Sequence, residues 1–349
     1  LNALLAKAGS HDERAMRNQR LDWSTTTELA ATLVVMSNPH ELDAIDRRLV
    51  GELIVDGRAP YAALAPKVEL SQAAVRARVR RLLHDDVLKV TARVDPRSLG
   101  LGVFSFVFLT IEGPARKIGK DLAAISEAVF VVSVTGRQGL MAEIRCRDNG
   151  HLLEVFDRIR AIDGVVDLDS LTAMEFRKSG TSGIANELFG KHIEIRLAQP
   201  AASDRALDEV DLALIRELVR DGRATFVELA PKVGLSQAGV RARVQRLLEE
   251  EVVVIQAFPS AEVLGIASFA TILVSLRGPL EPVVERVCAM PEFTVVALAG
   301  GSYDLVCEVW CRDNEHLLET LDTIRGLDGV GLVQSNTYLE IIKEDYLIG

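Results

Sequence analysis

The apolar positions of this chain follow two periods that alternate twice. After Leu207 they recur every three to four residues: Leu212, Ile215 and Leu218, then Val227, Leu229, Ala230 and Val233, then Val240, Val244 and Leu247. That spacing predicts three short helices, each burying one stripe. Asp221-Gly222 closes the first, Gly234 turns the chain after the second, and Ser236 is placed to cap the third. Two helices, a glycine turn and a third helix read as helix-turn-helix, with the β-branched run 252–255 (87–91 earlier in the chain) as a wing strand. The period then falls to two. Residues 103–111, 129–135, 140–146 and 166–174 alternate as strands, separated by helical patterns at about 117–125 and 151–162, with equivalents 165 positions on. Strand, helix, strand, strand, helix, strand is the ferredoxin-like βαββαβ order, so the fold class is α+β.

The alternation is a duplication. Leu42-Asp43-Ala44-Ile45-Asp46 returns as Leu207-Asp208-Glu209-Val210-Asp211, and Arg147-Asp148-Asn149 is still in step with Arg312-Asp313-Asn314. Over residues 42–83, 27 of 42 positions are identical to their counterparts. The expected organisation is an N-terminal extension (1–40), a winged helix-turn-helix (41–92), a βαββαβ regulatory domain (101–176), a linker (177–206), a second winged helix-turn-helix (207–257) and a second βαββαβ domain (266–342). The strings Lys178-Ser179-Gly180-Thr181-Ser182-Gly183 and Gln199-Pro200-Ala201-Ala202-Ser203 favour a flexible linker. The strands are apolar on both faces: Val103, Val107, Leu109 and Ile111 alternate with Phe104, Phe106 and Phe108, as Leu305, Cys307 and Val309 do with Val306 and Trp310. A half-covered antiparallel sheet is polar outside. The second face must therefore meet another sheet, from the sister repeat or from another chain, which predicts an intramolecular pseudo-dimer or a homo-oligomer.

Composition narrows the function. The chain has 349 residues, 48% apolar, 26% charged and only 5% aromatic, so its core is aliphatic. A net charge of −10 argues against indiscriminate coating of nucleic acid or anionic membrane, while leaving room for a local basic patch. Four cysteines make no disulfide framework, which points to a reducing, cytoplasmic setting. The apolar run 29–36 is far short of the ~20 residues that span a bilayer and has no signal-peptide flanks, so no membrane partner is expected.

The third helix of each repeat carries the chemistry. Residues 71–81 hold four arginines and no acid, and residues 236–246 hold three. Small residues on the face away from the apolar stripe permit close approach, and Gln and Arg offer donors to base edges and phosphates in a major groove. The candidate DNA-binding residues are Ser71, Gln72, Ala73, Arg76, Arg78, Arg80 and Arg81, with Ser236, Gln237, Ala238, Arg241, Arg243, Gln245 and Arg246. A merely solvated basic face is the bland alternative. Retention of Ser-Gln-Ala and three arginines in both copies argues against it.

At these residues the chain resembles the leucine-responsive and AsnC-type transcriptional regulators. The matching string runs through Leu207-Asp208, Asp211, Asp221-Gly222-Arg223, Glu228-Leu229-Ala230, Val233-Gly234-Leu235-Ser236, Val240, Arg243-Val244 and Arg246-Leu247, and in the regulatory half through Gly301-Ser302-Tyr303-Asp304 and Leu327-Asp328-Gly329-Val330. The resemblance implies a winged helix-turn-helix for double-stranded DNA and a βαββαβ domain for assembly and for an amino-acid or related effector. Members usually carry one such unit and dimerise, so this chain looks like a fused pair. It departs from the family where glycine usually follows the recognition helix: Asp86 and Glu251 stand there, and neither enters the left-handed region as easily, so an altered wing junction is expected. Gly300, Gly301, Tyr303 and Asp304 are the candidate effector-binding residues, with the Asp304 carboxylate set for an amino group. The first repeat has Gln138-Gly139 at the equivalent place, which predicts sensing by the second repeat alone, unless Tyr303-Asp304 only caps a turn.

Other signals have bland readings. Cys307 and Cys311 share one strand face and read as buried small hydrophobes. His151 and His316 read as first-turn helix residues. No phosphate loop, Cys-x-x-Cys or nucleophile triad stands out, so no cofactor, metal or catalytic residue is expected and the chain is not read as an enzyme. The alternative function is a small-molecule-sensing or metabolic protein built on the βαββαβ domains, without DNA-binding activity.

Overall fold

A computed structural model describes residues 42–180, 182–189 and 207–345. The extension 1–40 and residues 190–206 of the expected linker lie outside the described residues.

The helix-turn-helix elements form as their spacing predicts. In the first repeat, α1 (Ala44–Val55) is capped by Asp43, α2 (Tyr61–Leu64) continues as a 3-10 turn, and α3 (Gln72–His84) is capped by Ser71. The stripe Val75, Val79 and Leu82 is buried. Strands β1 (Leu88–Val94) and β2 (Val103–Ile111), helix α4 (Ala115–Ala123), strands β3 (Ala128–Val134) and β4 (Leu140–Cys146), helix α5 (Asn149–Arg160) and strand β5 (Val165–Ser179) follow. Helix α6 (Ser182–Phe189) precedes the second repeat: α7 (Glu209–Arg220), α8 (Phe226–Val233), α9 (Gln237–Glu249), β6 (Val253–Pro259), β7 (Ser268–Leu276), α10 (Glu281–Ala289), β8 (Phe293–Gly300), β9 (Leu305–Cys311), α11 (Asn314–Arg325) and β10 (Val330–Glu344). Val227, read as part of an apolar stripe, is 62% exposed, and Leu229 alone of that helix is buried.

The two wing strands pair with each other. β1 runs antiparallel to β6, from Leu88 opposite Pro259 to Val94 opposite Val253. The first helix of each repeat packs on the other repeat's strand, α1 on β6 and α7 on β1, so one aliphatic core serves both helix-turn-helix units. The Asp-Gly-Arg motif locks this exchange. Arg58 donates to the carbonyls of Gly222 (3.1 Å) and Ala224 (3.0 Å), and Arg223 donates to those of Gly57 (2.6 Å) and Ala59 (3.4 Å). Each guanidinium also lies over the other repeat's aromatic ring, Arg58 on Phe226 and Arg223 on Tyr61. Glycine is required beside them: a Cβ at Gly57 would come 2.9 Å from the Gln256 backbone, and one at Gly222 3.1 Å from Thr91 N.

The βαββαβ sheets join at both edges into one closed eight-stranded barrel, ordered β10-β3-β4-β2-β5-β8-β9-β7. The seams are β5 with β8 and β10 with β3, so each joins one repeat to the other. This closure accounts for the doubly apolar strands. Val107, Leu109 and Ile144 face the outer helices, meeting Ile118, Leu122 and Val155, while Phe106, Phe108 and Phe130 fill the barrel with Leu273, Ala297 and Val306 of the second repeat. The face that needed cover finds it within the chain.

Two expectations meet the backbone here. At the wing junction Asp86 and Glu251 both adopt left-handed backbone (φ 53° and 54°), the region that glycine enters most easily, as Glu69 does (φ 56°) at the position equivalent to Gly234 (φ 67°). Such a conformation costs a non-glycine residue about 1–2 kcal/mol. The stretch read as flexible linker is ordered in part. Lys178 and Ser179 extend β5, with Lys178 donating to the carbonyls of Cys288 (3.0 Å) and Met290 (2.7 Å). Ile184 and Ala185 of α6 are buried, Ile184 in a cluster with Leu264 and Ile266 that Trp310 and Phe269 pack against.

Candidate nucleic-acid interface and ligand cavity

The structure divides the arginines of the third helices into two sets. Arg78 donates to Asp43 (2.5 Å) and to buried Asp46 (2.9 Å), and Arg81 also pairs with Asp46. The second repeat repeats the arrangement: Arg243 donates to Asp208 (2.6 Å) and Asp211 (2.9 Å), and Arg246 reaches Asp211 (3.4 Å). These hydrogen bonds raise the affinity of Arg78 and Arg243 for their protons; Asp43 is held below the usual carboxylate range by the Asp46 backbone N–H it caps and then by Arg78, and Asp208 by Arg243 and then by the Asp211 backbone N–H. Arg78, Arg81, Arg243 and Arg246 thus tie the third helix to the first. Ser71 and Ser236 accept from the backbone N–H groups of Ala74 (3.2 Å) and Gly239 (3.1 Å), which makes both N-caps.

What remains is a compact exposed face in each repeat. Gln72, Ala73, Arg76 and Arg80 are exposed in the first, and Gln237, Ala238, Arg241 and Gln245 in the second. Ala77 and Ala242 lie exposed between them, so the faces are low enough for a groove wall to approach. A sequence signal for the division exists: an aspartate pair 32 and 35 residues before the arginine recurs in both repeats.

The candidate effector residues are not brought together. The Asp304 carboxylate accepts from the Leu276 backbone N–H (2.7 Å), which is the turn-holding role. A Cβ on Gly301 would meet Leu171 at 2.5 Å and one on Gly300 would meet Met174 at 2.6 Å, so both glycines serve close packing against the first repeat. Tyr303 alone of the four lines a cavity, of about 490 Å³, at one mouth of the barrel. Its walls come in pairs of equivalent positions 165 apart: Phe108 with Leu273, Arg137 with Ser302, Gln138 with Tyr303, and Asp169 with Gln334. The cavity therefore straddles the pseudo-twofold relation between the repeats. Its two charged side chains, Arg137 and Asp169, belong to the first repeat, against the expectation that the second repeat alone equips the site. Tyr303 Oη donates to Gln334 Oε1 (2.8 Å), and Gln334 Nε2 donates to Gln138 Oε1 and Asn336 Oδ1 (3.3 Å each). Burial and the nearby Asp169 charge push the Tyr303 hydroxyl up from its ordinary value.

The remaining groups read as structure. Cys146, Cys307 and Cys311 are buried beneath the outer helices, and desolvation raises their thiols, those of Cys146 and Cys311 to about 11. His151 and His316 sit in the first turns of α5 and α11, their backbone N–H groups donating to Asp148 and Asp313 (2.8 Å each). Among the described residues there is no cluster of three or more His, Cys, Asp or Glu fit for a metal, and no helix is long and apolar enough to cross a membrane.

Comparison with known proteins agrees with this layout. The AsnC-type helix-turn-helix domain matches residues 42–83 and 207–248, and the Lrp/AsnC ligand binding domain matches residues 105–182 and 269–348. The HTH-type transcriptional regulator LrpA of Mycobacterium tuberculosis is 35% identical over 127 residues, which is 36% of this chain and 85% of that protein. The HTH-type transcriptional regulator FL11 of Pyrococcus horikoshii is 28% identical over 142 residues, 40% of this chain and 94% of that protein. These relatives thus align with about one repeat. Over both repeats the fold is similar to the crystal structure of the siroheme decarboxylase NirDL, with a TM-score of 0.62 over 88% of this chain and 94% of that one; at 13% identity the likeness concerns the fold alone. With two AsnC-type helix-turn-helix domains and two Lrp/AsnC ligand-binding domains in tandem, the chain belongs to the Lrp/AsnC family of transcriptional regulators.

Proposed function

We propose that this chain is a sequence-specific DNA-binding regulator in which the two halves of a dimeric reader are fused, and that it responds to a small molecule of the amino-acid class bound by the barrel. The observation that carries the DNA reading is the exposed pair of faces, Gln72, Ala73, Arg76 and Arg80 with Gln237, Ala238, Arg241 and Gln245, standing clear of the ion pairs that engage the neighbouring arginines. Exposed arginine on a capped helix with small neighbours suits phosphate and base-edge contacts in a major groove. The shared helix-turn-helix core supports one reader per chain, since neither unit buries its apolar surface without the other.

A salt-titrated gel shift on DNA upstream of the coding sequence tests this. The variant Arg76→Ala, Arg80→Ala, Arg241→Ala should bind more weakly, and the slope of log K against log salt should shrink by about 0.9 for each phosphate no longer neutralised. Undiminished binding would remove these faces from the interface. If the parent chain binds no DNA and does bind small molecules, the alternative of a sensing or metabolic protein replaces this one.

A further inference from the structure

The two helix-turn-helix units share their reading residues and differ in their charge. In the N-terminal half of the third helix, exposed Gln72, Ala73, Arg76 and Ala77 return unchanged as Gln237, Ala238, Arg241 and Ala242. Such a helix contacts base edges from its N-terminal residues. Beyond them the repeats part. Exposed Arg80 of α3 gives way to Gln245 of α9, and exposed His84, one turn on, to Glu249. With the arginines tied to the first helix set aside, the first face keeps Arg76 and Arg80, while the second keeps Arg241. In the preceding helix, exposed Ala63 of α2 gives way to exposed Glu228 of α8. The Thr225 backbone N–H and hydroxyl both donate to Glu228 Oε2 (2.8 Å each) and hold its carboxyl below the usual range, so it is ionised at neutral pH. On the first helix, exposed Arg47 stands where the second repeat has Leu212. Residues 42–86 hold eight Lys and Arg against seven Asp and Glu, whereas residues 207–251 hold seven against nine. The balance changes sign between the repeats.

We infer that the chain holds DNA unequally: both helix-turn-helix units carry the same reading residues, but the first supplies the grip on phosphate and the second contributes little of it. This rests on the DNA half of the function proposed above and divides that half between the repeats. The sequence-independent part of DNA affinity comes from cations that neutralise phosphates and release counterions. Each such contact adds about 0.9 to the slope of log K against log salt, which is about fivefold in affinity at ~0.15 M salt. Arg80 supplies a contact that the neutral Gln245 cannot. Glu228 works the other way, because the helix before the recognition helix crosses the sugar–phosphate backbone, where a carboxylate meets like charge. Glu249 sets another carboxylate at the end of the second recognition helix, where the first repeat has a histidine. Shared reading with unequal grip gives the complex a direction. The half-site under the first unit is engaged at salt concentrations that release the other, so the two orientations of the chain on one stretch of DNA are not equivalent.

Fluorescence anisotropy of the full chain on a labelled duplex of mixed sequence, about 40 base pairs long and titrated with salt from about 50 to 200 mM, reads this grip without the target sequence, because non-specific binding is essentially all electrostatic. Arg76→Ala and Arg241→Ala make the same change at matched, exposed positions. The first should flatten the slope by about 0.9 and weaken binding about fivefold at ~0.15 M salt, and the second should change the slope by less than about 0.3. The double variant Gln245→Arg, Glu228→Gln gives the second unit the first unit's cation and removes its carboxylate, while glutamine keeps an acceptor for the Thr225 cap. It should steepen the slope by about 0.9 and tighten binding at least about fivefold. Equal losses from Arg76→Ala and Arg241→Ala, or no gain from the double variant, would overturn the unequal grip and leave the regulator reading standing. A parent chain that binds neither this duplex nor the upstream DNA of the gel shift would remove both.

Discussion

Glu127 shows how far one residue's surroundings outweigh its type. Burial alone would raise its carboxyl, but Arg158, its own backbone N–H, Ser126 and His151 together hold it down to about 2, from an ordinary 4.5. Arg158 Nη1 lies 3.0 Å from Glu127 Oε1, and His151 Nε2 also 3.0 Å from it. A depressed carboxylate contributes stability that is present above about pH 4.5 and is lost as pH falls toward about 2. Arg158→Ala should therefore lower stability at pH 7 by about 1–2 kcal/mol, reduced from the full linkage value because the guanidinium is half exposed. It should also flatten the loss between pH 4.5 and 2. Urea unfolding of parent and variant across that range reads both, and parallel pH profiles would show that the pair carries no linkage. Single residues also mark the limit of the sequence reading. Asp304 reads as a ligand carboxylate because nothing local shows that Leu276 N–H, 28 residues earlier, needs an acceptor. Asn336 gives no signal at all, since its place in the cavity depends on the neighbours that the other repeat brings there.

Elements are legible where one period dominates. Strands β2 and β4 fall at their expected bounds, because apolar residues on both faces fix a strand whichever side the helices cover. Pairing is less legible: the β1–β6 exchange joins residues about 165 apart, and no local pattern encodes the partner of an edge strand. Helix α6 is hidden because its glycine reads as a loop signal, whereas Gly183 is there for close approach. A Cβ at that position would lie 2.5 Å from Pro291 Cα and 2.6 Å from its carbonyl oxygen, both backbone atoms that cannot swing aside. Gly183→Ala should push the helix off the start of β8 and loosen Ile184 from its cluster, costing roughly 1–3 kcal/mol despite the better helix propensity of alanine. Thermal or urea melts check it. An unchanged or raised stability would mean that the close approach is not kept in solution.

At the scale of the whole molecule, the covalent connection between repeats is one link among several. Two barrel seams, the β1–β6 ribbon and the Arg58 and Arg223 clasps all cross from one repeat to the other, and two of the buried clusters contain residues of both. A protease site introduced within residues 190–206 should therefore leave the cleaved halves together. They should elute as one species and melt in one transition, because separation would expose apolar barrel filling at about 25 cal/mol per Å². Separation of the halves under native conditions would contradict the shared cores. Residues 207–349 expressed alone would carry the same uncovered face and self-associate.

The exposed faces differ at one step: Arg80 in the first repeat stands where Gln245 stands in the second. In a reader built from two identical polypeptides, one codon serves both halves, and any change in preference appears twice. Here each half has its own codon, and no exchange of subunits can average them. Under the proposed function, the target sequence is released from palindromy. Its two half-sites can drift apart one base at a time, with the protein following, while occupancy depends on the first power of chain concentration instead of on a prior encounter between two chains.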